Sequence, residues 1–490
     1  MKKNSSYIFQ LASTRTILPD EFDLHLDNAT DGKQLLHCLQ TVRLVPGKRM
    51  VCRAHWQDQE AFAKLYFDSR GAKRNCQSEI KGLEALQKHS ICAPRIIHKG
   101  TAEQGDMYVV LLQPVYKSQS LDTIWDQSKS KDDRLELLEN IARILAKHHT
   151  VGLLQRDLHL KNFLLSEGEI YTLDGGDIQI KGKPLDLNSS LANLGLLFAQ
   201  LLPENDIFVQ PVLSAYLLER NLSIDPSQKK LLYSHITTCR QVRLKKYLKK
   251  IFRECTEFVC ERSFNRYQIC RRNYLSPELK ILLNNPDASL SIPGTEILKD
   301  GNSSTVWLTT AGTQKLVVKR YNIKGFWHFL RRGFGLRRSR AAVSWKSAHM
   351  LKSYGVKTAL PIAMVEERLG PLRRRAYFIT EHLQEEDARY FFNQKFVTQK
   401  EMTLKAQEII KMFHVLREYR IGHGDMKATN IIMMKEGPAL IDLDSVTQFR
   451  SLFLFERRHQ ADLLRFLKNW QDMPDVKKLF LEIFPRNQSN

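Results

Sequence analysis

The chain has 490 residues and a mass of 57.0 kDa, which exceeds the usual size of one domain and predicts roughly two or three separate hydrophobic cores. Hydrophobic residues make up 43% and charged residues 26%, a globular composition that excludes a chain disordered throughout. Lys and Arg outnumber Asp and Glu by 75 to 53, and the net charge of +22 favours phosphate-bearing partners.

Compartment and membrane signals point to a cytoplasmic protein. The eight cysteines contain no CxxC pair and no regular disulfide spacing, which favours a reducing compartment. The opening segment 1–15 is basic, but polar residues interrupt its apolar stretch, as a signal peptide would not allow. The longest apolar segment, 191–202, is shorter than the roughly 20 residues of a membrane span, so any membrane contact is expected to be peripheral.

The first notable element is a strand that contains a lysine. Lys64 lies inside the strand-like run AFAKLYF, where a cation requires a neighbouring anion. Glu79 follows fifteen residues later in a helical segment and is expected to pair with it, the alternative being an exposed helix carboxylate. Upstream, only Pro46 and Gly47 suggest a phosphate-binding turn.

An amphipathic helix and a polar motif come next. The helix is predicted over 132–147, and one face of it carries Leu135, Leu138, Ile141 and Leu145. The segment QRDLHLKNFLLSEGEIYTLDGGD then places Asn162 five residues after Asp157, and Asp174 twelve residues after Asn162. Apolar runs on both sides of Gly168 predict a β-hairpin, which returns the chain to its starting end.

The join between the two halves is basic. Segment 240–272 has eleven basic and three acidic side chains, which is typical either of a solvated helix face or of an anion-binding patch. We place the boundary near residue 252, so that domain one covers 1–252 and domain two 253–490.

The second half begins with a similar strand but lacks the helix acid. The run KLVVKRY contains Lys319, and the polar turn 300–306 before it either covers phosphate or is an ordinary hairpin. Segment 321–365 has nine Lys and Arg and no Asp or Glu. Three alternatives stay open: Glu366 or Glu381 substitutes for the helix acid, this half binds phosphate differently, or it has lost catalysis.

The motif then recurs with the same spacing. A helix over 402–416 has one apolar face formed by Ile409, Met412, Phe413 and Leu416. The segment HGDMKATNIIMMKEGPALIDLD places Asp425, Asn430 and Asp442 at intervals of five and twelve residues, with Gly437 in the hairpin. This repeat predicts an α+β fold of two tandem bilobal domains, each with a small strand-rich lobe followed by a helical lobe.

The repeated residues match the requirements of phosphoryl transfer. Transfer from ATP needs a lysine on the phosphates, a carboxylate that orients the acceptor hydroxyl, and an Asn and an Asp that hold Mg²⁺. The candidates are Lys64, Glu79 and Lys319 for the nucleotide, Asp157 and Asp425 for the hydroxyl, and Asn162, Asp174, Asn430 and Asp442 for Mg²⁺. Neither copy has the APE element of a protein-kinase activation loop, so a sugar or another small-molecule hydroxyl is the expected acceptor.

These residues resemble the lipopolysaccharide kinase family, bacterial enzymes that phosphorylate heptose or Kdo of the lipopolysaccharide inner core and share the protein-kinase-like fold. HGDMKATNII, LIDLDSV and RRHQADLLRFL are similar to its catalytic loop, metal strand and following helix, and VVKRYN resembles its lysine strand. QRDLHLKNFLL, with Lys64 and Glu79, matches more loosely. The resemblance implies ATP, Mg²⁺ and a core-sugar acceptor at the cytoplasmic face of the inner membrane.

Two other functions remain as alternatives. One is a protein Ser/Thr kinase of the same fold, and the other is a pseudokinase scaffold that binds anionic lipid or nucleic acid without chemistry. We expect lipid-linked sugar rather than nucleic acid as the partner. Segment 326–338, with Phe326, Trp327, Phe329 and Leu330 among arginines, resembles an interfacial amphipathic segment, unless it packs against its own lobe. The sequence leaves the oligomeric state open.

Overall fold

The structure is a computed structural model that describes residues 21–27, 34–45, 47–67, 70–322, 338–370 and 372–484. The chain divides into two compact units, residues 1–241 and 242–490. The division falls inside the helix Pro226–Lys250, and the boundary near residue 252, just beyond this helix, stays a prediction. In each unit a strand-rich lobe precedes a helical lobe, which confirms the predicted α+β fold.

The strand-rich lobe of the first unit is a closed barrel of six strands. They are β1 (Phe22–Leu26), β2 (Gln34–Val45), β3 (Arg49–Trp56), β4 (Gln59–Tyr66), β5 (Ile96–Ala102) and β6 (Met107–Leu112). The order is β1-β2-β3-β4-β6-β5, and Leu26 pairs with Ala102 to close the barrel. Alternate side chains fill its interior, where Leu24, Cys52 and Leu111 are fully buried.

A helix packs against the outside of this barrel, over β4 and β6. Helix α1 (Ala72–Lys88) lies between β4 and β5 in the chain. Its Cys76, Leu83 and Leu86 pack with Tyr66 and Val110, which point out of the barrel. This packing fixes the helix that carries Glu79 against the strand that carries Lys64.

The rest of the first unit is mainly helical. Its elements are β7 (Gln119–Ser120), α2 (Leu121–Gln127), α3 (Lys131–Thr150), β8 (Leu153–Gln155), β9 (Phe163–Ser166), β10 (Glu169–Thr172), β11 (Ile178–Ile180), α4 (Leu187–Phe198), α5 (Val209–Arg220) and the first part of α6 (Pro226–Lys250), the helix in which the division falls. The helix predicted over 132–147 is α3, which begins after the N-cap Ser130. Leu138, Ile141 and Leu145 of its predicted face are fully buried. The hairpin predicted around Gly168 is formed by β9 and β10.

The second unit has an open sheet in place of the barrel. Its first elements are β12 (Phe258–Arg262), β13 (Arg266–Arg271), α7 (Pro277–Asn284), β14 (Glu296–Gly301), β15 (Ser304–Ala311), β16 (Gln314–Tyr321), α8 (Arg340–Ser353), β17 (Lys357–Thr358), β18 (Pro361–Leu369) and β19 (Leu372–Glu381). Seven of the strands form one sheet in the order β12-β13-β18-β19-β16-β15-β14. Trp345 of α8 is fully buried in the unit's main core, together with Phe258 and Met364 of the sheet.

The helical lobe of the second unit follows the same plan as the first. It contains α9 (Ala388–Asn393), α10 (Gln399–Glu418), β20 (Ile421–Gly422), β21 (Ile431–Met434), β22 (Gly437–Leu440), β23 (Thr447–Gln448), α11 (Leu452–Lys468) and α12 (Pro474–Ile483). The helix predicted over 402–416 is α10. Thr398 and Glu401 form a capping box at its N-terminus. Its predicted apolar face is buried, and β21 and β22 form the predicted hairpin.

The eight cysteines all lie among the described residues, and none of them forms a disulfide. No helix within the described ranges is both long and apolar enough to cross a bilayer. Pro46 and most of the predicted amphipathic segment, residues 326–337, lie outside the described residues.

Candidate active sites

Lys64 of the first unit is held between two carboxylates. It lies in β4, and Nζ is 2.6 Å from Oε1 of Glu79 and 2.7 Å from Oδ1 of Asp174. Burial alone would lower the pKa of Lys64, but the charges of Glu79 and Asp174 outweigh burial and raise this pKa above its ordinary value. The lysine is therefore a fixed cation at the edge of the barrel.

Glu79 is buried, with only 1% of its surface exposed, and its oxygens are satisfied. Oε1 accepts a hydrogen bond from the backbone N–H of Gly175 at 3.1 Å, and Oε2 accepts from that of Gly176 at 3.0 Å. The hydroxyl of Tyr66 donates to Oε2 at 3.4 Å. A Cβ on Gly82 would lie 1.9 Å from the carbonyl oxygen of Gly175, so only glycine allows helix α1 to approach this loop.

The loop after β8 brings Asp157, Asn162 and Asp174 together. Nδ2 of Asn162 donates to the carbonyl oxygen of Asp157 at 2.8 Å. The backbone N–H of Leu173 donates to the carbonyl oxygen of Asn162 at 2.8 Å, which places Asp174 beside the loop. Asn162 is buried, whereas the Asp157 carboxylate is exposed to solvent.

The second unit repeats this backbone path. Nδ2 of Asn430 donates to the carbonyl oxygen of Asp425 at 2.8 Å, and the N–H of Ile441 donates to the carbonyl oxygen of Asn430 at 3.0 Å. Asp442 is left-handed at φ 60°, as Asp174 is at φ 57°. A non-glycine residue in this conformation costs about 1–3 kcal/mol, and such residues concentrate at functional sites. Its recurrence marks both aspartates as functional candidates.

Lys319 contacts a different pair of carboxylates. It lies in β16, and Nζ donates to Oδ1 of Asp442 and lies 3.5 Å from Oδ2 of Asp444. Burial would raise the pKa of Asp442, but the charge of Lys319 outweighs burial and holds it below its ordinary value. Arg340, the first residue of α8, donates from Nη2 to Oδ2 of Asp444 at 2.5 Å. Asp444 is thus shared by two cations.

Neither acid suggested by the sequence reaches Lys319. Glu366 accepts hydrogen bonds from Ser339 and Arg368. Oε1 of Glu381 accepts from the backbone N–H of Leu360 at 2.8 Å. The suggested substitution by Glu366 or Glu381 is therefore wrong, and Asp444 supplies the second carboxylate instead. The sequence signal for Asp444 was its place two residues after Asp442, within the repeated motif.

Asp425 faces two cations. Oδ2 lies 3.2 Å from Nζ of Lys427, and Oδ1 lies 2.9 Å from Nε of Arg465 on α11. The same helix carries Asp462, whose carboxylate accepts from the backbone N–H groups of His423 and Gly424 at 2.8 and 3.0 Å. Helix α11 therefore positions both the backbone at His423 and Gly424 and the carboxylate of Asp425. Sequence reasoning assigned a role to neither Arg465 nor Asp462.

The comparison with protein families agrees with this geometry. The model of the lipopolysaccharide kinase (Kdo/WaaP) family matches residues 55–190 and 296–482, one region in each unit and together more than half of the chain. The chain belongs to this family. As a lipopolysaccharide kinase it is a phosphotransferase that acts in lipopolysaccharide biosynthesis. No curated protein matches the sequence.

The two matched regions of this lipopolysaccharide kinase contain every candidate residue of both sites. The first includes Lys64, Glu79, Asp157, Asn162 and Asp174, and the second includes Lys319, Asp425, Asn430, Asp442 and Asp444.

Proposed function

We propose that the chain transfers the γ-phosphoryl group of ATP to a sugar hydroxyl, of heptose or Kdo, in the lipopolysaccharide inner core. One observation carries the proposal. In each unit a strand lysine contacts an aspartate, and hydrogen bonds tie an Asn to the backbone of a further Asp, with the same partners in both copies. Phosphoryl transfer requires this set of groups around a single reacting phosphate.

The residues fit ATP and Mg²⁺ by their chemistry. Mg²⁺ prefers a few oxygen ligands, and carboxylate and amide oxygens are present on Asp174 and Asn162 and on Asp442 and Asn430. Lys64 and Lys319 would hold the phosphates of the nucleotide. Bound Mg–ATP supplies the phosphoryl group and neutralises its charge. The protein contributes position and electrostatic stabilisation.

Asp157 and Asp425 are proposed to orient the sugar hydroxyl and to accept its proton. In the second unit Lys427 and Arg465 fix the orientation of the Asp425 carboxylate at 3.2 and 2.9 Å. As cations beside the proposed proton acceptor, they would also stabilise negative charge that develops during transfer. His159 occupies in the first loop the place of Lys427.

Peripheral contact with an anionic membrane surface, on its cytoplasmic side, is part of the proposal. The net charge of +22 supports it. So do three consecutive apolar side chains at the start of α11, Leu452, Phe453 and Leu454, which are 55%, 70% and 52% exposed beside Arg450 and Arg457. Sedimentation with anionic vesicles tests this, and binding unchanged in Phe453→Ser would contradict the role of this surface.

The proposed reaction is tested with purified chain, labelled ATP and Mg²⁺. The acceptors are dephosphorylated lipopolysaccharide core and a generic protein substrate, each in a separate reaction. We expect label on the core sugar and none on the protein. Label on the protein alone would identify a protein kinase, and label on neither would favour the scaffold alternative.

A further inference from the structure

In each unit the strand that carries the lysine also carries a tyrosine, and the contact of this tyrosine shows which residues of α1 and α8 correspond. Tyr66 follows Lys64 by two residues, and its hydroxyl donates to Oε2 of Glu79 at 3.4 Å. Tyr321 follows Lys319 by two residues, and its hydroxyl is 2.8 Å from Oγ of Ser344 in α8. Ser344 therefore occupies in the second unit the helix position that Glu79 occupies in the first.

The loop after the metal-site aspartate shows the reverse difference, because the second unit has an acid where the first unit has a glycine. The residue two positions after Asp174 is Gly176, and the residue two positions after Asp442 is Asp444. A Cβ on Gly176 would lie 3.2 Å from Oε2 of Glu79, a tight contact, and a carboxylate there would also repel Glu79. The short side chain of Ser344 removes this conflict in the second unit.

We propose that the second unit has exchanged the acid and the small residue between helix and loop, so that Asp444 replaces the missing helix glutamate and positions Lys319 for the nucleotide phosphates. This inference rests on the proposed function. Asp444 has 6% of its side chain exposed, and Oδ2 lies 3.5 Å from Nζ of Lys319. It is a positioning residue, because it acts on the phosphates through the lysine.

Arg340 completes the exchanged arrangement. Its Nη2 binds Asp444 at 2.5 Å, its Nη1 donates to the carbonyl oxygen of Ser303 at 3.2 Å, and its guanidinium lies 4.8 Å from the Tyr321 ring centroid. Ser303 lies in the turn between β14 and β15, the polar turn for which the sequence offered phosphate binding as one of two alternatives. Arg340 thus couples Asp444 to that turn and to the lysine strand.

An acyl phosphate of ATP, which transfers its acyl group to a lysine beside the nucleotide phosphates, tests the exchange in the full chain. Peptide mass spectrometry reads Lys64 and Lys319 separately, and competition with ATP gives an apparent affinity at each lysine. The variants are Asp444→Asn, Asp444→Gly, Ser344→Glu and the double variant Ser344→Glu/Asp444→Gly, which recreates the pattern of the first unit. Glu436→Gln, at an acid with 76% of its side chain exposed, is the matched control.

We expect Asp444→Asn and Asp444→Gly to weaken ATP protection of Lys319 by about tenfold or more, as for a lost charged hydrogen bond, and to leave Lys64 unchanged. Ser344→Glu alone should also weaken protection, because it adds a second acid beside Asp444. The double variant should recover to within about threefold of the wild-type chain, which a residue important only for folding would not do.

Two results would overturn the inference and are distinguishable from failure of the proposed function. If ATP protects both lysines but Asp444→Asn protects Lys319 as well as the wild-type chain, Asp444 does not position this lysine. If the double variant is no better than Asp444→Gly, helix and loop have not exchanged roles. If ATP protects neither lysine in the wild-type chain, the proposed function fails and this inference fails with it.

Discussion

The loops that carry Asp157 and Asp425 follow one backbone path in the two units, with different charges around it. In the first unit Asn193 of α4 donates to the carbonyl oxygen of Gln155 at 2.8 Å, and Asp157 is exposed. In the second unit the carboxylate of Asp462 takes the supporting position, and Asp425 faces two cations. Backbone hydrogen bonds therefore set the path, while the charges around it vary.

The structure also changes how the lysine ends of the two sites compare. In the sequence, only the first half has the helix glutamate, Glu79. The second unit has a carboxylate, Asp444, beside Lys319, and two cations beside Asp425. Both units thus have a carboxylate beside the lysine in addition to the motif aspartate, and both are candidates for phosphoryl transfer.

The largest expected effect comes from the two aspartates proposed to accept the proton of the sugar hydroxyl. Asp157→Asn and Asp425→Asn should each lower transfer by their own unit by about 10²- to 10⁴-fold, because the hydroxyl loses its proton acceptor. Quantitative mass spectrometry of the phosphorylated core measures this effect. If both units are active, each variant leaves the product of the other unit. Activity unaffected in the combined variant would show that neither aspartate is catalytic.

The close approach of helix and loop gives the second prediction. Gly82→Ala should destabilise the first unit by about 1–3 kcal/mol, because the new Cβ would lie 1.9 Å from a backbone oxygen. Helix propensity alone predicts the opposite sign, a gain of about 1 kcal/mol. The aligned position in the second unit is Ser347, and Ser347→Ala is the control. Hydrogen exchange resolved by unit measures both, and a stabilised Gly82→Ala would contradict the packing.

Buried histidines give the third prediction, in which the two units should agree. Burial lowers the pKa of His148 in the first unit and of His349 in the second from 6.5 to about 3. Both are neutral when folded, so their contribution is fully present above pH 6.5 and is lost as the pH falls toward 3. Between pH 7 and pH 5 each should cost about 2 kcal/mol of unfolding free energy. Thermal unfolding at both pH values checks this, and greater stability at pH 5 would refute it.

The smallest expected effect concerns the cations beside Asp425, which distinguish the loop of the second unit from that of the first. Arg465→Ala should lower kcat of the second unit about tenfold with little change in KM for ATP, because it removes one charged partner of Asp425 without touching Lys319. Steady-state kinetics in the Asp157→Asn chain isolate this unit. The control is Lys468→Ala, at an exposed residue of the same helix. Equal effects of the two variants would remove Arg465 from the site.

Residue patterns within short segments of the sequence predicted much of the site. They did not predict which residues contact each other across long sequence separations. The apolar runs on both sides of Gly168 predicted the hairpin that brings Asp174 back to Asn162. Glu79 was predicted because it follows Lys64 by fifteen residues and lies in a helical segment directly after the lysine strand. By contrast, Lys319 and Asp444 are 125 residues apart, and no spacing rule leads from one to the other.

The barrel and the role of α11 show the same limit. Closure of the barrel depends on one pairing between Leu26 and Ala102, which is invisible in the alternation of either strand. Arg465 and Asp462 lie in a segment whose helix was expected, but their direction toward the loop depends on how that helix packs. Comparing the two copies position by position would have revealed Asp444, because it stands where the first copy has Gly176.

The most direct test of the account counts and locates the phosphates that the purified chain adds to dephosphorylated lipopolysaccharide core in the presence of ATP and Mg²⁺. Mass spectrometry should find phosphate on core sugar with the wild-type chain and none with the combined Asp157→Asn/Asp425→Asn variant. A wild-type chain that adds no phosphate, or a combined variant that adds as much as the wild type, would contradict the central claim.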